Sequence, residues 1–176
     1  MRAGDPARAE RSFLAVLALN AHVAEVHHNL GLLAQGRGDV DAAMASYESA
    51  LAEDPTLLRA AVNLGLLYER ANRPREAVRM YLRVAQLEPQ NVRALFSAAF
   101  LLVQNGAYQE ALAVLDQARL SDPQSPLPRV YRAQVYQRMG DLDAAEQELQ
   151  AALALDPDSA EAHQALEALQ HKRGGG

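Results

Sequence analysis

Apolar and polar positions along the chain follow a helical beat, and the beat itself repeats. Small residues at Ala43, Ala77, Ala111 and Ala145 are followed four places on by large ones, Tyr47, Tyr81, Leu115 and Leu149. Three places further come Ala50, Val84, Ala118 and Ala152. Steps of four and three put each trio on one face of a helix. A turn residue precedes each trio, at Gly38, Asn72, Gly106 and Gly140. An acid and a proline follow it, at Asp54-Pro55, Glu88-Pro89, Asp122-Pro123 and Asp156-Pro157. Every column advances by 34 residues, and self-similarity at such a period marks an array of one small structural unit.

The pattern predicts two helices of about 12–14 residues in each period. In the first full period they run over 24–36 and 40–53. Gly38 can take positive φ and close the first helix. Asp39 then caps the second by accepting from its free N–H groups. Asp54-Pro55 ends the second helix and opens the first helix of the next period, because proline cannot continue a helix but suits a first turn. Small residues at Gly31, Ala43 and Ala50 allow close approach, and Tyr47 and Tyr81 fill the remaining holes. One hairpin of this size cannot bury its apolar stripe, so neighbours must stack.

These columns resemble the tetratricopeptide repeat, whose pattern is W-x₂-L-G-x₂-Y, then A-x₃-F, then P. The repeat at 24–57 carries Leu30-Gly31, Ala43, Tyr47 and Pro55. The repeat at 58–91 carries Leu64-Gly65, Tyr68, Ala77, Tyr81 and Pro89. Two more span 92–125 and 126–159. The resemblance implies an all-α fold, an α-solenoid of stacked antiparallel helix pairs wound as a right-handed superhelix, forming a single domain over 1–173. There are departures. The tryptophan column holds His27, Ala61, Leu95 and Arg129. The Leu-Gly pair becomes Ala98-Ala99 and then Arg132-Ala133, and an arginine at a packed place must snorkel or pair with an acid.

Partial units flank the four repeats. Gly4-Asp5 aligns with Gly140-Asp141, and Ala9, Phe13 and Val16 align with the small, large and small columns. Residues 6–23 therefore read as a second helix without its first, as in a chain cut from something longer. Residues 160–171 restart a first helix, and Glu161, Gln164, Glu167 and Gln170 suit a solvent-facing cap. Gly174–Gly176 reads as a linker-like tail.

Composition narrows the function. Cysteine is absent, which excludes disulfides, thiol catalysis and thiolate metal sites. The formal net charge of −5 argues against nucleic acid as a partner, since phosphate contacts need a basic surface. No apolar run is long enough to span a membrane, and the first residues do not form a signal peptide. Cytoplasm and periplasm stay equally open. An Arg- and Ala-rich, Lys-poor chain points to a GC-rich bacterial source. His22, His27 and His28 cluster in sequence, but adjacent histidines face different ways and the i, i+4 spacing of a helical metal site is missing, so no metal is expected. Neither a phosphate loop nor a nucleophile elbow occurs, and no cofactor or catalysis is expected.

By resemblance, inner-face residues of the first helices line a concave groove that holds a peptide segment of a partner protein. Those columns hold Glu25, Arg59, Arg93 and Leu127; His28, Val62, Phe96 and Val130; Asn29, Asn63, Ser97 and Tyr131; and Leu32, Leu66, Phe100 and Gln134. The candidates are Asn29, Leu32, Arg59, Asn63, Leu66, Arg93, Phe96, Ser97, Phe100 and Tyr131. A carboxamide at Asn29 or Asn63 donates and accepts, so it can read an extended backbone. The alternative is a bond to its own helix or to water. Leu66, Phe96, Phe100 and Tyr131 supply an apolar floor, or else ordinary packing between repeats. Arg59 and Arg93 grip an acidic residue, or form a solvated charged face. Relatives that clamp a terminal carboxylate use a set of basic and asparagine residues. Asn63 and Arg93 fit that set, whereas His28, Leu32 and Ser97 do not, so an apolar or mixed peptide is expected.

The leading function is thus a non-catalytic scaffold, for instance in assembly of a larger bacterial complex. Two other readings stand beside it: the substrate-recognising arm of a larger enzyme such as a glycosyltransferase, and a self-assembling array. Phe13, Val16 and Leu17 on the unpaired helix are expected to favour self-association.

Overall fold

The computed structural model describes residues 6–19 and 23–174. Gly4-Asp5, His22 and Gly175-Gly176 lie outside them, as does the side chain of Leu17. The described residues form ten helices and no strand, so the chain is an all-α solenoid of stacked helix pairs. Two compact units divide it, Met1–Leu87 and Glu88–Gly176.

The first unit holds α1 (Pro6–Leu19), α2 (Ala24–Gly36), α3 (Val40–Glu53), α4 (Leu58–Arg70) and α5 (Pro74–Leu87). Each helix packs on the next in chain order. The second unit holds α6 (Val92–Gln104), α7 (Tyr108–Ser121), α8 (Leu127–Met139), α9 (Leu142–Leu155) and α10 (Ala160–Gly174). It follows the same order, and α10 also rests on α8.

The turn inside each pair is the same device four times. Gly38, Gly106 and Gly140 have φ of 77°, 74° and 85°, and Asn72 takes 55°. Asparagine tolerates this region because its short polar side chain bonds locally. The left-handed residue lets the following N–H reach back across the helix end: Asp39 N donates to Ala34 O at 3.0 Å, Arg73 N to Tyr68 O at 2.8 Å, Ala107 N to Leu102 O at 2.9 Å and Asp141 N to Tyr136 O at 3.0 Å. Asp39 and Asp141 then cap α3 and α9, accepting from Ala42 N at 3.1 Å and Ala144 N at 3.0 Å.

The acid–proline pairs work differently from the sequence expectation. Pro55 does not enter the first turn of α4; it sits in a short link, and α4 begins at Leu58. The aspartate orders that link. Asp54 Oδ1 accepts from Thr56 N at 2.8 Å and Thr56 Oγ1 at 2.7 Å, which holds its carboxyl below the usual range. Asp156 does the same for Asp158 N at 3.1 Å.

Within each pair the small columns are sealed. Ala43, Ala77, Ala111 and Ala145 are fully buried, with Tyr47, Tyr81, Leu115 and Leu149 against them. Both tyrosines keep a hydrogen bond while buried: Tyr47 Oη donates to Gln35 Oε1 at 2.9 Å and Tyr81 Oη to Glu69 Oε2 at 2.8 Å. Gln35 and Glu69 are themselves one period apart.

The arginine in the packed column pairs rather than snorkels. Arg132 Nε lies 2.7 Å from Glu148 Oε1 and its Nη1 2.9 Å from Asp116 Oδ2, with the Tyr136 ring beside the guanidinium. Arg129 adds a contact to Glu148 at 3.3 Å. One and two periods earlier, the Arg129, Arg132 and Glu148 columns hold Leu95, Ala98 and Val114, then Ala61, Leu64 and Met80. An apolar trio has been exchanged for an ionic one.

In the second unit α10 packs on α9 and α8. Ala162 and Leu169 are buried, while Glu161, Gln164, Glu167 and Gln170 are exposed. Ser159 caps it, accepting from Ala162 N at 3.3 Å. At its other end Arg173 pairs with Asp143 and, at 2.6 Å, with Glu146.

Candidate functional site

Five candidates fall in the first unit. Asn29 and Leu32 stand on α2, one turn apart; Asn63 and Leu66 stand in the same columns on α4, with Arg59 in the column of Glu25. The fold brings these two rows together. Arg59 forms an ion pair with Glu25 of α2, so within the unit its guanidinium already has a carboxylate. Leu32 and Leu66 are 45% and 42% exposed. Neither leucine is needed to fill the core, and they repeat one place of the helical unit.

Asn63 is neither a free carboxamide nor one bonded to its own helix. It is half-buried, and its Nδ2 lies 3.2 Å from His28 Nε2 of α2 and 3.5 Å from Tyr47 Oη of α3. The sequence placed His28 among groove columns, yet it is 4% exposed. Its ring is 5.5 Å from that of Tyr47, centroid to centroid. Burial pushes the His28 imidazole below its usual pKa, partly offset by Asn29. Burial likewise raises the Tyr47 phenol, with Asn63 acting in the opposite sense. A polar chain therefore runs from Gln35 through Tyr47 and Asn63 to His28. The residue types did not reveal it, because its members come from different repeat columns.

The other five candidates fall in the second unit. Arg93, Phe96, Ser97 and Phe100 lie along α6, and Tyr131 lies on α8. Phe96 and Tyr131 pack ring against ring at 4.7 Å, tilted by 53°. Phe100 is 58% exposed. Ser97 is half-buried, and Arg93 is exposed with no ion pair among the described residues. Tyr131 also lines a groove of about 400 Å³ with Leu127 and Gln134 of α8 and Glu161, Gln164 and Ala165 of α10. Sequence reasoning treated α10 only as a cap. The signal was available, since one more step of 34 residues carries the inner columns onto Glu161, Gln164, Ala165 and Ala168. Among the described residues no three His, Asp or Glu side chains converge as metal ligands, and no helix is long and apolar enough to cross a membrane.

Comparison with known proteins returns the same unit. Two family profiles, each described as tetratricopeptide repeat, match residues 1–57 and, in overlapping registers, 32–99, 70–132 and 102–169. The peroxisomal targeting signal receptor of Saccharomyces cerevisiae is 34% identical over 91 residues, covering 52% of this chain. That stretch spans only 15% of the receptor's own length. Among solved structures, a tetratricopeptide repeat protein from Parabacteroides merdae superposes with a TM-score of 0.67 at 22% identity, covering 97% of this chain and 68% of that one. MamA from Desulfovibrio magneticus gives 0.64 at 19% identity, covering 86% and 85%. At these identities the two structures speak for the fold.

Proposed function

The chain belongs to the tetratricopeptide repeat family of protein-interaction scaffolds, and on that premise we propose that it binds an extended, apolar-rich segment of a partner protein without turnover. The observation that carries this reading is a single helical place left apolar and open to solvent, at Leu32 and Leu66 in the first unit and Phe100 in the second. Packing does not account for large apolar side chains held outward at the same step of successive repeats. Beside them stand groups able to bond a peptide backbone: Asn63 on α4, and Gln134 and Gln164 along the second unit's groove. Arg93 remains for an acidic flank, whereas Arg59 would first have to leave Glu25. The yeast relative is by name a receptor for a targeting signal, a role of the same kind.

Selection of a displayed random-peptide library on the full chain, followed by calorimetry of the selected peptides, tests this. Expected are apolar-rich binders, weakened by Leu66→Gln where they sit on the first unit and by Phe100→Gln where they sit on the second, with Asn63→Ala costing about 1–3 kcal/mol for the former and the fold intact. Selection of nothing above background, or peptides that bind all three variants equally well, overturns it.

Self-association is a second reading, favoured by one observation. On α1, Leu14 and Val16 are 52% and 43% exposed, beside a half-buried Phe13. Sedimentation velocity over a wide concentration range should show a dimer that Val16→Lys disperses. A monomer at every concentration rejects it.

A further inference from the structure

We propose that His28 is a positioning residue for Asn63: its protonation state sets which end of the Asn63 carboxamide is turned away from the core and offered to a bound chain. The inference rests on reading Asn63 as a partner-contacting residue, but the relay itself lies entirely within the first unit.

The geometry fixes the polarity. Tyr47 Oη donates to Gln35 Oε1 at 2.9 Å. Its proton is thereby committed, and a lone pair is left facing Asn63 Nδ2 at 3.5 Å. The amide nitrogen, rather than the amide oxygen, is the atom suited to that place, and it also meets His28 Nε2 at 3.2 Å. A neutral imidazole can accept there only if its proton sits on Nδ1. That nitrogen is sealed from solvent and has no hydrogen-bond partner among the described residues. The arrangement thus holds His28 in one tautomer at the expense of an unmet buried N–H. Asn63 Oδ1 also has no partner among the described residues but is not sealed from solvent. With His28 neutral, the groove is offered an acceptor.

One added proton reverses the chain. Both ring nitrogens become donors, and an N–H can no longer face the amide N–H₂. The carboxamide must turn over, giving Oδ1 to His28 and its N–H₂ to the groove. Tyr47 can follow by swinging its hydroxyl proton from Gln35 to Asn63 Oδ1. The surroundings leave this titration to His28. From α3 the facing titratable group is Tyr47. From α4, Arg59 is tied to Glu25 of α2. From α1, Glu10 is held by Arg37 at the far end of α2. Burial keeps the protonated form below the usual histidine range, and Asn29 moderates the effect.

Nitrogen-15 NMR of the uniformly labelled full chain tests this without any ligand. Long-range proton–nitrogen correlations report the His28 imidazole tautomer between pH 8 and 4.5. Expected are an Nδ1–H tautomer for neutral His28 and an Asn63 side-chain amide that shifts with the His28 midpoint. In Asn63→Ala, His28 should change to the Nε2–H form. An Nε2–H tautomer in the parent protein, an Asn63 amide indifferent to the His28 titration, or an unchanged tautomer in Asn63→Ala overturns the inference. Because no peptide is present, a failed peptide selection would leave this result readable.

Discussion

Gly31 of α2 lies directly under the ring of Tyr47 of α3: a Cβ at Gly31 would stand 2.5 Å from Tyr47 Cε1 and 2.7 Å from Cδ1. No side chain fits at that distance, so the glycine and the tyrosine specify each other. The same places one period on hold Gly65 and Tyr81, then Ala99 with Leu115 and Ala133 with Leu149. Wherever the large residue loses its ring, the small one gains a methyl.

Gly31→Ala should therefore destabilise the first unit by about 1–3 kcal/mol, the usual cost of overpacking, despite alanine's better helix propensity. Gly65→Ala should cost less, since its nearest contact is 3.1 Å, to Tyr81 Cε1. Gly31→Ala combined with Tyr47→Leu should recover much of the loss, as it recreates the Ala99–Leu115 pair. Urea unfolding of the two singles and the double closes the cycle; additive losses would show that the ring and the glycine do not compete for space.

Tyr81 separates packing from hydrogen bonding. Tyr81→Ala should cost about 3–5 kcal/mol, the range for a buried aromatic. Tyr81→Phe keeps the ring and loses only the bond to Glu69, so about 0.5–1.5 kcal/mol is expected. Tyr81 and the neighbouring Tyr68 both titrate high, Tyr68 pushed up to about 12 by burial and by Glu48. Their phenols should therefore stay protonated in an absorbance titration through the ordinary tyrosine range.

Much of the fold was legible before any coordinates, and the reason is local. Gly38, Asn72, Gly106 and Gly140 must turn left-handed, and Asp39 must cap, because each device is written within five or six residues. The link at Pro55 was misread because proline's fitness for a first helical turn was weighed without the Asp54–Thr56 bonds that stop the chain short of α4. The candidate site was harder to read. Arg59 meeting Glu25, and Asn63 meeting His28 and Tyr47, are contacts between neighbouring helices that a column of residues does not display.

Stability should follow the His28 imidazole in acid. Its folded pKa lies below its unfolded value, so in the interval between the two the unfolded chain binds more protons. Unfolding free energy then falls as pH drops from about 6.5, the unperturbed histidine value, through the folded pKa, and this loss levels off beneath it. His28→Gln should be less stable than the parent at pH 7.5 and should lose less on acidification to pH 5. Parallel urea midpoints for the two proteins across that interval would contradict the assignment of His28 as buried and neutral.

The ionic trio in the second unit can be unmade in two ways with opposite outcomes. Arg132→Ala leaves Glu148 largely buried with only the longer Arg129 contact, and should cost about 3 kcal/mol. Arg129→Leu, Arg132→Ala and Glu148→Val together copy the Leu95, Ala98 and Val114 set, and should restore or exceed the parent's midpoint in guanidinium chloride. A triple variant as weak as the single would mean that the arginines also support something beyond Glu148.

Leu64 and Leu66 stand two residues apart on α4 and should answer the same substitution in opposite ways. Leu64 is 2% exposed and Leu66 42%. Leu64→Gln buries an unmatched carboxamide in place of a packed side chain and should lower the unfolding free energy by about 2–5 kcal/mol. Leu66→Gln instead copies Gln134, which already occupies that column in the second unit, and should leave stability within about 0.5 kcal/mol of the parent. If Leu66 is an anchor for a bound chain, its loss should appear only in affinity, at up to about 1.5–3 kcal/mol for a fully buried leucine. Thermal melts together with calorimetry of a selected peptide separate the two quantities. Should Leu66→Gln unfold the protein as readily as Leu64→Gln, the side chain belongs to the core and the apolar column is packing rather than a binding surface.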